Sequence, residues 1–184
     1  LIFHAVFTYS LLLTSLAKIN PFIFFLKMRE AIIFAFSTSS SSATMPVTLK
    51  TVEEKLGVDK SVSSFCIPLG TTINMDGTAI MQGVATVFIA QVYQVDLTMM
   101  EYLMVIVTAT LASIGTAGVP GVGLIMLAMV LQQVGLPVEG IALIIGVDRL
   151  LDMLRTAVNV SGDATISCIV ANSENQLSRK DFIS

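Results

Sequence analysis

Charged side chains within one of the most apolar stretches of the chain limit its possible folds more than any other feature. Residues 148–163 contain three aspartates and two arginines, and the residues just before them, 141–147, are almost wholly aliphatic. A charge near the centre of a membrane helix costs roughly 2.5–3.5 kcal/mol, so such residues persist where they face a protein interior or a water-filled cavity. At about 100° per residue, the polar side chains cover about a third of the helix circumference. This stripe predicts a buried polar site and consists of Asp148, Arg149, Asp152, Arg155, Thr156, Asn159 and Asp163.

The composition is typical of a membrane protein that crosses the bilayer several times. The 184 residues are 54% hydrophobic and 12% charged, with a mean hydropathy of +0.85, whereas a soluble domain carries about 25% charged residues. The net charge of −3 and the lack of a basic patch with interleaved aromatics argue against nucleic acid as a partner. Cys66 and Cys168 have no CxxC spacing and predict neither a disulfide nor a zinc site. We interpret His4 as an ordinary, partly buried histidine.

Two apolar segments are each interrupted by a run of small residues, which predicts two re-entrant helical hairpins. In the first, helices shorter than the about 20 residues that a span requires flank a serine-rich tip at 37–46. In the second, they flank a glycine-rich tip at 113–123, and Asp96 is the expected cap of its first helix. A non-helical tip at membrane depth has to be buried in protein or line a cavity.

A third interrupted segment, residues 61–95, predicts a broken transmembrane helix. Its middle, at 70–78, holds glycines, one aspartate and several hydroxyl or amide side chains. An unwound helix exposes backbone carbonyls, and hard cations prefer oxygen ligands. Interrupted segments in corresponding positions of two similar halves indicate a secondary-transporter site near the bilayer midplane.

The predicted architecture is an all-α membrane protein whose segments together form one transport domain. Its parts are the end of a transmembrane helix, the first re-entrant hairpin, the broken transmembrane helix, the second re-entrant hairpin, a long polar-striped final transmembrane helix and a soluble tail. Their predicted bounds are 1–18, 19–57, 61–95, 96–135, 138–172 and 173–184.

Arg155 indicates the chemical class of the ligand more clearly than any other residue does. A buried guanidinium needs a partner, and its planar fork suits a carboxylate. One interpretation is an internal ion pair with Asp152 or Asp148. The other is a site for a substrate carboxylate, with Asp152 one turn away to receive an ammonium group, which together suit an acidic amino acid.

Other polar groups near this stripe can coordinate a ligand only through oxygen atoms. Asn159, Asp163 and the carbonyls of 70–76 suit a small hard cation, and sodium fits better than magnesium, which retains its waters. No nucleophile–base pair or metal triad indicates an enzyme, and no cofactor is expected.

Four motifs match, in order, those of the dicarboxylate/amino acid:cation symporter family, and the chain resembles its glutamate transporter-like members. They read SSSAT at 40–44, NMDGT at 74–78, GTAGVPG at 115–121 and DMLRTAVNVSGD at 152–163, and they extend over nearly the whole chain.

The resemblance implies symport of L-glutamate or L-aspartate by an elevator mechanism, coupled to sodium and possibly to protons. It implies a homotrimer in the lipid bilayer of a cell membrane (plasma or inner), with several membrane passes. The chain would be a C-terminal fragment of the transport domain, without the scaffold helices that form the trimer. The motifs are compatible with coupling to sodium or to protons, and with aspartate or glutamate as the preferred substrate.

The resemblance also implies roles for individual residues. The substrate-binding set is Arg155 for the side-chain carboxylate, Asp152 and Thr156 for the amino group, Asn159 and Ser41 for the α-carboxylate, Thr78 as a further contact, and Val119 and Gly123 in the second tip. The sodium sets are Gly70, Asn74, Asn159 and Asp163, then backbone oxygens near Thr72, Ser113, Ile114 and Thr116, and finally Asn74 and Asp76, with Met75 bridging them.

The chain departs from the family pattern in two respects. An extra arginine, usual in the first tip or just after the acid at 152, is absent, because Ser39 and Met153 occupy those positions; Arg149 is the candidate substitute. Gln82 stands where the animal transporters have a glutamate tied to proton and potassium coupling, which predicts no potassium counter-transport.

Other membrane functions fit these residues less well than acidic amino acid symport does. A C4-dicarboxylate:cation symporter would have no use for Asp152 as an ammonium partner. Two tips that act as lids suit an occluded binding site better than they suit an anion channel or a structural membrane subunit.

Overall fold

The computed structural model describes residues 1–115 and 117–183, with only the backbone of Asp181 and Ile183. The described residues form helices and no strand, which confirms the all-α class. The helices are α1 (His4–Ala17), α2 (Pro21–Thr38), α3 (Ser41–Glu54), α4 (Lys60–Ile73), α5 (Asp76–Val92), α6 (Met99–Ser113), α7 (Val122–Gln133), α8 (Ala142–Ser173) and α9 (Arg179–Ile183), and a 3₁₀ turn, Val138–Ile141, precedes α8.

Local hydrogen bonds account for where α2 and α4 begin. The Asn20 side chain accepts a hydrogen bond from Phe22 N, and Pro21 fills the first turn of α2, as the sequence predicts. Asp59 caps α4 by accepting hydrogen bonds from the Ser61 hydroxyl and backbone N–H, which hold the pKa of Asp59 below its usual range.

The expected cap of α6 was wrong. Thr98, not Asp96, caps this helix, because Thr98 and Glu101 form a reciprocal capping box. The box satisfies the backbone N–H groups of both its residues, which a lone aspartate two residues earlier does not do.

The helices reach further into the interrupted segments than the sequence predicts. Between α2 and α3 only Ser39 and Ser40 are non-helical, and between α4 and α5 only Asn74 and Met75 are. Ser39 adopts a left-handed conformation, with φ 52°, and the Ser40 side chain caps α3 by accepting a hydrogen bond from Ala43 N. Hydroxyl groups late in α2 bond to carbonyls one turn back, so the polar run continues the helix instead of ending it.

Helix α8 is 32 residues long and lies between two hydrophobic clusters. The first cluster is built from α1 to α4 around Phe24, Met28 and Ile67, and it packs on the second half of α8. The second is built from α5, α6 and α7 around Ile89, Leu127 and Leu131, and it packs on the first half. The polar stripe of α8 therefore lies at the junction of the two clusters.

The outside of the molecule is also apolar. Phe22 and Met99 are each 77% exposed, and Ile125 is 67% exposed. No single described helix is both long and apolar enough to cross a bilayer, and α1 and α2 meet that requirement only as a pair, bent by 117°.

The terminal segment, predicted as a soluble tail, folds back onto the helices. An isolated bridge joins Leu177 to Val58, through Asp59 N to Gln176 O at 3.0 Å and Ser178 N to Gly57 O at 2.7 Å. Phe182 is only 3% exposed in the first cluster. This segment thus ties the end of α8 to the loop between α3 and α4.

Candidate functional site

The centre of α8 meets both hairpin tips and the helix break at one cavity. All eight residues predicted to bind substrate line it, together with Ser39, Met75, Ala117, Gly118 and Val122. Those eight residues are Ser41 of the first tip, Thr78 of α5, Val119 and Gly123 of the second hairpin, and Asp152, Arg155, Thr156 and Asn159 of α8. The free volume is about 20 Å³, which is room for about one water molecule. The cavity is therefore closed, and a ligand the size of an amino acid enters only if it opens.

Arg155, only 2% exposed, is held by both neighbouring acids of the stripe. Its Nε donates to Asp152 Oδ1 at 2.9 Å, and Nη2 lies 2.9 Å from the same oxygen. Its Nη1 lies 3.4 Å from Asp148 Oδ1. In this closed cavity both carboxylates beside Arg155 belong to the protein, so the internal ion pair, one of the two interpretations from the sequence, is the one formed here.

The second hairpin closes the cavity through its glycines. Gly121 N donates to Asp152 Oδ2 at 2.9 Å, so both oxygens of Asp152 are engaged. A Cβ added to Gly123 would collide with the Arg155 guanidinium. Gly123 leaves room for the guanidinium because its backbone lies directly against that group, whereas Gly121 has a φ of 82°, a conformation that favours glycine.

The two tips are joined at the Gly118 carbonyl. It accepts hydrogen bonds from Ser40 Oγ at 2.6 Å and from Ser42 N at 3.1 Å. A Cβ on Gly118 would lie 2.9 Å from Ser42 Oγ and 3.0 Å from Ser42 N. The first tip therefore takes part in holding the second one shut.

Two buried polar side chains have no hydrogen-bond partner among the described residues. Ser39 Oγ is one, and Ser39 lines the cavity, so its hydroxyl is available to a ligand. The other is the Gln82 amide, which is fully buried with both its oxygen and its nitrogen unpaired. An unsatisfied buried group costs about 1–3 kcal/mol.

The first predicted cation set comes together beside the helix break. Asn74 Nδ2 donates to Asp163 Oδ1 at 3.0 Å, and a Cβ on Gly70 would lie 2.5 Å from that oxygen. Asn159 belongs to both sites, because its Oδ1 accepts from Gly77 N at 2.8 Å and its Nδ2 donates to Thr78 Oγ1 at 3.2 Å. These oxygens, one carboxylate among amide and backbone groups, are of the type that a hard cation prefers.

Asp76 has partners that the sequence did not reveal. Tyr9 donates its hydroxyl to Asp76 Oδ2 at 2.5 Å and also bonds to the Val158 carbonyl, and His4 Nε2 lies 2.7 Å from the same carboxylate oxygen. His4 is partly buried, as predicted, and its partner is a predicted cation ligand. No sequence pattern links these residues, which are 67 and 72 positions from Asp76.

Met75, which is predicted to bridge the sites, has its sulfur close to two of the predicted site residues. Its Sδ is 3.7 Å from Asn159 Nδ2 and 3.8 Å from Thr78 Oγ1.

The second predicted cation set is joined by one backbone hydrogen bond. Gly115 N donates to Thr72 O at 2.7 Å, which brings the end of α4 against the residues after Ser113 and Ile114. Thr116, the fourth member, lies outside the described residues.

Arg149 does not replace the missing arginine. Its side chain is exposed and does not line the cavity. Arg155 is therefore the one guanidinium among the described residues that line this cavity.

Comparison with known proteins agrees with the resemblance seen in the sequence. The sodium:dicarboxylate symporter family matches residues 1–173. The chain is 47% identical to excitatory amino acid transporter 1 of Rattus norvegicus, over 98% of this chain and 34% of that protein. It is 49% identical to excitatory amino acid transporter 3 of Mus musculus over 97% of the chain and 34% of that protein, and 48% identical to an excitatory amino acid transporter of Caenorhabditis elegans over 91% and 33%. The chain thus spans about a third of the length of these relatives.

Proposed function

Because this chain belongs to the sodium:dicarboxylate symporter family, whose members are membrane transporters and not enzymes, we propose that it carries the binding site of an acidic amino acid symporter. The cargo is L-glutamate or L-aspartate, and sodium entry drives its uptake. The observation that carries this proposal is Arg155, which is buried between two acids at the wall of a closed cavity.

The substrate class follows from the charges around the cavity. Arg155 suits the side-chain carboxylate, because a guanidinium binds a carboxylate through two parallel hydrogen bonds. Asp152 suits the α-ammonium group, with Thr156 beside it. The unpartnered Ser39 hydroxyl, with Ser41 and Asn159 nearby, offers hydrogen bonds to the α-carboxylate. The names of the relatives, excitatory amino acid transporters, agree with this class of cargo.

Sodium is the proposed coupling ion. The contact of Asp163 with Asn74 and with the Gly70 backbone supports one site, and Asn159 links that site to the substrate. The family description names sodium as well. A cation bound beside Asn159 would hold Thr78 and Gly77 in place, and ion binding would thereby strengthen substrate binding.

The mechanism and assembly rest on the family resemblance. We expect the second hairpin to act as the gate and the domain to move across the membrane by an elevator motion. Trimer contacts, the lipid-facing surface and multi-pass insertion in a cell membrane belong to the same proposal.

Uptake by the complete protein in proteoliposomes is the decisive experiment. Labelled L-aspartate and L-glutamate are offered under an inward sodium gradient and then under a proton gradient alone. Uptake that requires sodium supports the oxygen-lined sites as the coupling sites. Uptake driven by protons without sodium would retain the substrate class and contradict sodium coupling. No uptake of either amino acid would overturn the proposal.

A C4-dicarboxylate is the second candidate cargo, because the family description names dicarboxylates and because both Asp152 oxygens already have protein partners. Competition separates the two. Aspartate should displace labelled aspartate far better than succinate does if Asp152 receives an ammonium group. Equal competition by succinate would favour the dicarboxylate.

A further inference from the structure

Arg155 is held unevenly by its two acids, and the difference suggests which of them gives way to a substrate. We propose that Asp148 competes with the substrate side-chain carboxylate for Arg155 and binds a proton when the substrate displaces it. One proton would then accompany each acidic amino acid. This inference rests on the proposed function, since it requires an acidic side chain at Arg155.

The distances identify Asp148 as the displaced partner. Asp152 takes the contacts from Nε and Nη2, both at 2.9 Å, whereas Asp148 lies 3.4 Å from Nη1. Charge-assisted hydrogen bonds of this kind are about 2.7–2.9 Å long, and longer ones are weaker. Nη1 is therefore the donor that an incoming carboxylate captures most readily.

The charge balance of the site then favours uptake of a proton by Asp148. Asp148, Asp152 and Arg155 are 7%, 4% and 2% exposed, and with both acids ionised they sum to −1. An acidic amino acid carries one further negative charge, because its α-ammonium and α-carboxylate cancel. A buried carboxylate that loses its cationic partner is neutralised more readily than it stays charged. A hydronium ion supplies the proton: one of its O–H bonds breaks, an O–H bond forms on the Asp148 carboxylate, and a water molecule is released.

The rest of the site offers no substitute for this proton. The positions where relatives carry a second arginine hold Ser39 and Met153, and Arg149 is exposed. Among the described residues, Arg155 and Asp152 are the charged groups that act on Asp148. The parts of the tips, α5 and α7 that line the cavity are uncharged.

The proposed proton site is also separate from the cation sites. Asp163 lies fifteen residues further along α8, about 22 Å along the helix axis. Gln82 has an amide, which does not titrate near neutral pH. Proton uptake at Asp148 would therefore accompany the substrate and not the sodium ions.

The test follows protons and aspartate together. The complete protein is reconstituted with a pH-sensitive dye inside the vesicles, under a fixed inward sodium gradient. Wild type should acidify the lumen by one proton per aspartate, and the half-saturating aspartate concentration should rise with pH by up to about tenfold per unit. Asp148→Asn, which mimics the protonated acid, should lose the proton that accompanies each aspartate taken up, and with it the pH dependence of the half-saturating aspartate concentration. Arg149→Gln, an exposed neighbour, is the matched control and should behave as wild type.

Two results would overturn the inference: sodium-driven aspartate uptake by wild type without proton movement, or an Asp148→Asn variant that still carries the proton. If that variant does not fold, calorimetry of aspartate binding to wild type in two buffers of different ionisation enthalpy decides instead. Proton uptake on binding supports the inference, and its absence refutes it. A wild type that takes up no aspartate refutes the proposed function itself, so the two failures are distinguishable.

Discussion

The contact between the two hairpin tips gives the sharpest test of how the cavity closes. The Gly118 carbonyl accepts two hydrogen bonds from the first tip, from Ser40 Oγ and Ser42 N. An alanine Cβ at 118 would lie 2.9 Å from Ser42 Oγ, 3.0 Å from Ser42 N and 3.2 Å from Ser41 Cβ. Two of these three neighbours are a backbone nitrogen and a Cβ, which cannot rotate away, so in Gly118→Ala the tips have to shift apart, which weakens or breaks both hydrogen bonds.

The size of the effect follows from the bonds that separation breaks. Each hydrogen bond is worth about 0.5–1.5 kcal/mol net, so the closed state should lose about 1–3 kcal/mol. If closure follows substrate binding, apparent aspartate affinity falls by about 5- to 150-fold. Gly118 does not have a positive φ, so alanine is tolerated by the backbone and the loss reports the contact alone.

The assay measures affinity and closure together. Sodium-dependent aspartate binding is compared between wild type and Gly118→Ala, while a spectroscopic distance between labels on the two hairpins reports the fraction closed. Gly146→Ala is the matched control, because nothing lies within 4 Å of a Cβ at that position of α8. Unchanged affinity and unchanged distance in Gly118→Ala would show that the tips are not joined at this carbonyl.

Four further predictions follow from individual contacts. Arg155→Cys should lower aspartate affinity by at least about a hundredfold, since charged hydrogen bonds worth roughly 3 kcal/mol are lost; unchanged affinity in a binding titration would refute its role. Asp163→Asn should raise the half-saturating sodium concentration by about tenfold or more, and an unaltered sodium titration would remove Asp163 from the cation site. Internal potassium should not stimulate aspartate uptake while residue 82 is Gln, so potassium-dependent exchange by wild type would contradict that reasoning. Phe182→Ala should destabilise the protein by about 3–5 kcal/mol, because a buried ring is lost from the first cluster, and a thermal melt that matches wild type would show that α9 contributes little.

The polar stripe of α8 could be predicted from the sequence because charges in an apolar helix are restricted to one face. Arg155 and Asp152, three residues apart, form the pair that helical spacing allows, and all the substrate residues named from the family resemblance line one cavity. The all-α class and the family follow from the same motifs.

Other parts of the site could not be predicted from the sequence, because they depend on long-range contacts or on a choice between two local contacts. Tyr9 and His4 meet Asp76 only when α1 packs beside the helix break, and no local pattern encodes that meeting. The serines of the first tip suit both a helix and a loop, and capping by Ser40 decides for the helix. Likewise, Asp96 and Thr98 are both good caps, and the partner Glu101 decides between them.

Closure of the second hairpin and occupation of Asp152 are one event in this molecule. The Gly121 N–H that anchors the closed tip donates to Asp152, the residue proposed to receive the substrate ammonium group. An entering amino acid therefore has to displace the tip in order to reach its own partner. Arg155 lies one turn from Asp152 on α8, and the entering side-chain carboxylate would reach it by displacing Asp148, its more distant partner. A site built this way stays shut when empty, with its charges satisfied by one another, and opens only at the cost of those contacts. In the proposed binding mode the substrate would restore them in a different arrangement, with its ammonium group on Asp152 and its side-chain carboxylate on Arg155.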